Sequence, residues 1–220
     1  MQNTRRSKDK SQAEPAGLRA RKAAQMRAGI LASAIRLFQK AGYSAATVGD
    51  ICQVADVSLR TFYNYFDSKQ AVLIAFLKEE REQGEAVVAA RVAAPIGDPI
   101  DYVLGVMFAD LRIDDDASTR ALWREVLSAL ILTSVEPASA IEINESRAVY
   151  RTHVLSALRR LGALGAMDKA APVEDLADIL YAIATSQFQD HVCHQHKSHR
   201  AYRGKVRKLL ETVLGPWLAR

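Results

Sequence analysis

The chain of 220 residues has only two cysteines, Cys52 and Cys193, far apart and in different predicted domains. There is no paired Cys motif of the zinc-finger kind, and such sparse usage fits a reduced, cytoplasmic protein. It also has no Gly-rich phosphate loop, no nucleophile elbow and no HExxH. Those gaps leave an enzyme without its machinery and give no reason to expect a cofactor. The acidic run Asp114-Asp115-Asp116 reads as a junction between helices, its carboxylates suited to the next N-terminus, rather than as a catalytic pair. No stretch alternates apolar and polar residues convincingly enough to be a strand. No apolar run follows the polar N-terminus, so neither a secretory signal nor a membrane partner is expected.

What is present is unevenly spread. Residues 1–70 carry twelve Lys/Arg against five Asp/Glu, a net of +7, and the other 150 residues carry a net of −2. The overall +5 is thus an N-terminal property. Such asymmetry is the footprint of a surface for a polyanion, with binding that falls steeply as salt rises. Residues 1–18 open this basic segment as a polar tail, read as disordered. Its four basic residues can add phosphate contacts or reach a minor groove, or the tail is simply solvated.

Residues 47–69, TVGDICQVADVSLRTFYNYFDSK, contain three helix starts within about twenty positions. Thr47 caps the first helix, with Asp50 three residues on in the manner of a capping box. That helix spans about 48–54. Ala55-Asp56-Val57 makes a turn, and Ser58 caps a second helix predicted to reach about Phe66. Asp67 or Ser68 caps a third. Two-turn helices joined so tightly are the size of a helix-turn-helix. At 100 degrees per residue, Leu59, Phe62 and Phe66 share a side predicted to be buried. Arg60, Thr61, Asn64 and Tyr65 fall on the other, with Tyr63 at the border. That face supplies donors for phosphates and base edges in a major groove.

Upstream, Ile30, Ala34, Leu37, Phe38 and Ala41 recur at helical spacing until Gly42-Tyr43 ends the helix. The stretch from Arg27 to Leu73 closely resembles the DNA-binding domain of the tetracycline-repressor-like (TetR/AcrR) family. The likeness rests on LFQKAGY, the Thr47-Val48 cap, the turn before Val57-Ser58, the TFYNYF helix and Lys69, and covers about a quarter of the chain. It implies that Thr47, Tyr63 and Lys69 hold phosphates while Arg60, Thr61, Asn64 and Tyr65 face bases. With the cap residues, the expected DNA-binding set is Thr47, Val48, Ser58, Arg60, Thr61, Tyr63, Asn64, Tyr65 and Lys69. Gly49 departs from the family, which commonly has a longer or charged side chain there.

Beyond residue 69 every segment reads as helical. The fold expected is all-α, about nine helices in all. A helix-turn-helix domain (19–68) is joined by a long shared helix to a larger ligand-binding and dimerisation domain (69–220). The resemblance implies that the last two helices pair with a second copy, and the DNA geometry asks for the same thing. One short recognition helix reads few base pairs, whereas a homodimer reads an inverted repeat with half-sites ~34 Å apart. Leu176, Ile183, Val206, Leu210, Val213 and Trp217 are the expected dimer contacts, although apolar stripes of this kind equally build an intrachain core.

Candidates for a small-molecule pocket are Tyr102, Phe108, Trp123, Leu127, Tyr150, His153, Gln187 and Phe188. Gln187 is the preferred polar anchor on an otherwise apolar stripe. The run HVCHQHKSH gathers His191, Cys193, His194, His196 and His199. On one continuous helix no face collects four ligands, so a polar helix end is favoured over a metal site. The reading is a ligand-released repressor, against a DNA-binding or architectural protein without a small-molecule ligand, or one controlled by a protein partner or metal.

Overall fold

A computed structural model describes residues 16–111, 117–133, 137–193 and 198–219. The expected tail up to residue 15, the Asp114–Asp116 junction, His194 and His196 lie outside the described residues. The described elements are helices: α1 (Ala16–Ala41), α2 (Val48–Ala55), α3 (Leu59–Tyr63), α4 (Lys69–Ala93), α5 (Pro99–Leu111), α6 (Ala117–Thr133), α7 (Pro137–Ala163), α8 (Val173–Cys193) and α9 (His199–Leu214). A short 3-10 turn, Gly215–Trp217, follows, and Met167 pairs with Leu218 in an isolated bridge. The chain is all-α, as its periodicity predicted.

Capping sets the boundaries. The Thr47 hydroxyl accepts from the Asp50 amide at 3.1 Å, and the Asp50 carboxylate accepts from the Thr47 amide at 2.9 Å, which satisfies two otherwise orphaned donors. The Thr47 hydroxyl, which donates to the Asp50 carboxylate, and then the Thr47 amide hold the Asp50 carboxyl below its usual range. Gly42 (φ +85°) and Asp56 (φ 53°) take the left-handed conformation that turns the chain out of α1 and α2. Ser58, Ser68 and Ser198 cap α3, α4 and α9 through their side chains.

Three boundaries differ from expectation. α1 begins at Ala16, inside the segment read as tail. α3 ends at Tyr63 rather than Phe66, because Asn64 takes the C-cap and a turn carries the chain to the next cap at Ser68. α9, which the apolar stripe predicted to run to about Leu218, stops at Leu214, where Gly215-Pro216 cannot continue it and the 3-10 turn takes over.

Two buried clusters organise the packing. The first joins Ile30, Ala34 and Phe38 of α1, Ile51 of α2, Phe62 of α3 and Val72 and Leu73 of α4. It also takes Leu122, Val126 and Ala129 from α6. The second is built from α5, α7, α8 and α9 with Val88 of α4. α4 thus contributes to both, ~37 Å of helix at 1.5 Å per residue. So does Trp123 of α6, whose ring packs against both clusters. Three N-terminal helices would bury too little apolar surface alone, and α4 and α6 complete their core.

Candidate functional site

Around α3 the predicted face is largely as the spacing placed it, with two changes. Phe62 and Phe66 are buried, while Arg60, Tyr63 and Asn64 are exposed. Leu59 is not buried but 53% exposed. As the first residue after the Ser58 cap it sits on a helix only five residues long, and Phe62 one turn later fills the core instead. The correction adds an apolar group beside Arg60 of the kind that meets a thymine methyl. Only the cap position could have signalled it. Tyr65 is half-buried and packs against the first cluster, because it lies in the turn after α3.

The hydroxyls of this face are partly committed. Ser58 and Thr61 share a hydrogen bond of 2.8 Å, and the Ser58 hydroxyl also accepts from the Thr61 amide at 3.0 Å. The Thr47 hydroxyl donates to Asp50 at 2.6 Å. Thr47 is exposed and Val48 half-buried at the start of α2.

Lys69 has a role that sequence reasoning missed. Its ammonium donates to the carbonyls of Tyr43 (2.6 Å) and Ala46 (2.8 Å) and lies 4.3 Å from the Tyr43 ring centroid. It clamps the first residue of α4 to the α1–α2 turn. Burial pushes its pKa below the usual lysine value, partly offset by the nearby Glu125 carboxylate. Glu125 of α6 holds the same turn from the other side, accepting from the Tyr43 amide at 3.0 Å.

A cavity of about 410 Å³ lies between α4, α6, α7 and α8. Of the predicted ligand residues, Trp123, Leu127, Tyr150 and Phe188 line it. The other four do not. Tyr102 turns its hydroxyl to the Val92 carbonyl (2.8 Å), and Phe108 packs on Tyr202 beside a second, more open hollow of about 770 Å³. His153 is half-buried elsewhere on α7. Gln187 lies on the side of α8 away from Tyr181, Thr185 and Gln189, so the cavity passes it by.

The polar groups at the cavity are instead Glu80, Arg81, Glu142, Ser146, Thr185 and Gln189. Arg81 Nη2 lies 3.5 Å from the Glu142 carboxylate and 3.1 Å from that of Glu145, and the Ser146 hydroxyl donates to Glu142 at 3.2 Å. Burial raises the Glu142 pKa, with Arg81 opposing. Charged residues on long helices read as solvated, which hid this pair. The signal available was a Glu and an Arg at apolar-stripe positions.

Three of the six expected dimer residues do not face outward. Leu176, Val206 and Leu210 are buried in the chain's own core and have no surface to offer. Ile183, Val213 and Trp217 are half-buried against the same core. The outward side of α8 presents Ile179, Ala182 and Ser186. A single stripe could not separate these faces, because both run the length of the helix. Of the histidine run, His191 is buried and stacked on Tyr202 with ring centroids 4.5 Å apart, Cys193 is exposed, and His199 meets His191 edge-on at 6.2 Å. Among the described residues no three potential ligands gather to hold a metal.

Comparison with known proteins agrees with this geometry. Residues 30–76 match the family described as "Bacterial regulatory proteins, tetR family". The chain is 34% identical over 101 residues to the HTH-type transcriptional regulator TcmR of Streptomyces glaucescens, a likeness covering 45% of this chain and 43% of that protein. The aligned stretch therefore spans less than half of the relative. Among solved structures, Salmonella enterica GusR superposes with a TM-score of 0.63 at 21% identity, covering 87% of this chain and 96% of that one. The SmeT–triclosan complex gives 0.67 at 17%, covering 89% and 92%. At those identities the likeness is one of fold.

Proposed function

The chain belongs to the tetR family of bacterial regulatory proteins through its helix-turn-helix domain, and from that premise we propose that it is a homodimeric, cytoplasmic transcription repressor. It holds an inverted-repeat operator and is released when a small molecule fills the cavity between α4, α6, α7 and α8. Arg60, Asn64 and Leu59 meet base edges, while Tyr63, Thr47 and the half-buried Lys69 flank the phosphate path. The basic first third of the chain supplies the sequence-independent attraction.

The observation that carries this reading is the two-faced α6. One side contributes Leu122, Val126 and Ala129 to the core of the DNA-binding domain, and the other contributes Trp123, Leu127, Leu130 and Ile131 to the cavity. An occupant that shifts α6 thus bears on the helices that present α3. For a ligand to reduce operator affinity tenfold it must bind the released geometry about 1.4 kcal/mol more tightly than the DNA-bound one. Support by analogy comes from TcmR, an HTH-type transcriptional regulator, and from SmeT, captured with triclosan. A second copy supplies the partner recognition helix, and the outer sides of α8 and α9 are the faces we assign to it.

Selection of bound DNA from a random pool tests the proposal. The purified protein should recover an inverted repeat. Arg60→Ala and Asn64→Ala should relax preference at particular base pairs, by about 1–3 kcal/mol each. Recovery of no shared sequence would defeat the operator reading.

A further inference from the structure

We propose that the α4/α6/α7/α8 cavity takes a neutral, flat aromatic molecule bearing a hydroxyl group, with its rings among Trp123, Tyr181 and Phe188 and its hydroxyl between Arg81 and Glu142. The assignment rests on the reading that this cavity is the effector site, and adds the chemistry that the site selects.

The walls favour a ring system. Trp123 and Phe188 meet edge-to-face with centroids 5.4 Å apart, and Tyr150 and Tyr181 do so at 5.6 Å. Leu77, Leu127 and Ile143 add aliphatic surface, and Thr185 and Gln189 of α8 add polar edges. Such a lining rewards apolar, polarisable ligands, and about 410 Å³ falls within the range of small-molecule sites.

The polar end narrows the class. Arg81 Nη2 is shared between the carboxylates of Glu142 and Glu145, but Arg81 Nε is buried and has no hydrogen-bond partner. Glu142 is itself nearly fully buried, with the Ser146 hydroxyl at 3.2 Å and Arg81 at a long 3.5 Å. A donor lacking an acceptor therefore sits beside an acceptor with lone pairs to spare. A hydroxyl answers both, accepting from the guanidinium and donating to the carboxylate. A carboxylate ligand would bring a negative charge against Glu142 and Glu80, while Arg81 is already neutralised twice. An ammonium carries three donors and no acceptor, so it leaves Nε unmet and lies against a guanidinium. A bare hydrocarbon satisfies neither group.

Equilibrium dialysis of the full chain against four matched compounds tests this: naphthalene, 2-naphthol, 2-naphthoate and 2-naphthylmethylammonium. The expected result is binding of 2-naphthol about tenfold or more tighter than any of the others, the worth of two modest hydrogen bonds. In the double variant Arg81→Met/Glu142→Leu, which removes the pair and leaves only the exposed Glu145 carboxylate without its partner, 2-naphthol should fall to the level of naphthalene. Glu142→Gln keeps an acceptor oxygen and should retain the preference to within about threefold. Tightest binding of the anion or the cation, equal binding of all four, no binding at all, or a naphthol preference that survives the double variant would each overturn the assignment. Operator binding measured in parallel separates the two readings. Intact operator binding without naphthol selectivity sinks the ligand class alone, and selective naphthol binding that leaves operator affinity unchanged sinks ligand release.

Discussion

Replacing Glu125 with Ala removes the acceptor that α6 offers to the Tyr43 amide at 3.0 Å, and with it the countercharge beside Lys69. The bond is charge-assisted and partly buried, a class worth about 1.5–3 kcal/mol. Around the same turn, Lys69 keeps its two carbonyl bonds, so the domain should stay folded while the turn opens locally. A loss of about 2 kcal/mol corresponds to roughly thirtyfold faster hydrogen exchange at the Tyr43 amide if its opening is the local one. Glu125→Gln retains an amide oxygen without the charge and should show a smaller acceleration. Site-resolved exchange by NMR is the assay, with amides of α9 as an internal reference. If the Tyr43 amide exchanges as in the unaltered protein while Ala stands at 125, the α6 contact does not hold this turn, and α6 bears on the DNA-binding domain through its apolar packing alone.

Phe62→Ala empties a fully buried site at the centre of the helix-turn-helix core. It should cost about 3–5 kcal/mol and abolish DNA binding, as a thermal melt and a gel-shift titration would reveal. Lys69→Ala should lower affinity for all DNA sequences alike and also lower the melting temperature, because the ammonium clamps two backbone carbonyls; weakened binding with unchanged stability would contradict the clamp. Burial raises the Glu142 pKa above 4.5. The folded form therefore holds this proton more tightly than the unfolded one, and the resulting stability is fully present below pH 4.5 and lost as pH rises through the folded pKa. Relative to Glu142→Gln, the unaltered protein should gain stability on acidification from neutral pH through that window, and denaturant melts at several pH values would show it; a constant difference would contradict the shift.

Much of the DNA-binding half was legible because its signals are local. Thr47, Asp50, Ser58 and Ser68 are capping residues that act within three positions of themselves, so their hydrogen bonds are set by adjacent chain. Periodicity likewise found the nine helices among the described residues and the buried Phe62 and Phe66, since a helix repeats the same rotation wherever it lies. Leu59 escaped because five residues of helix are too few for a face to be averaged.

Tertiary structure alone decided which apolar stripe meets which partner. Leu176, Val206 and Leu210 face inward and Ile179 outward, a distinction that depends on where the neighbouring helices pack. The same holds for Arg81 and Glu142, 61 positions apart, whose approach turns two ordinary surface residue types into the polar end of a cavity. It holds too for Glu125 and Tyr43, separated by 82 positions. Sequence by itself determined the helices, their capped starts at Val48, Leu59 and Lys69, the charge asymmetry and the DNA-facing unit, because these follow from interactions within one or two turns. The cavity, its chemistry and its connection to that unit arise from side chains brought together across the fold, and no local rule encodes their distance.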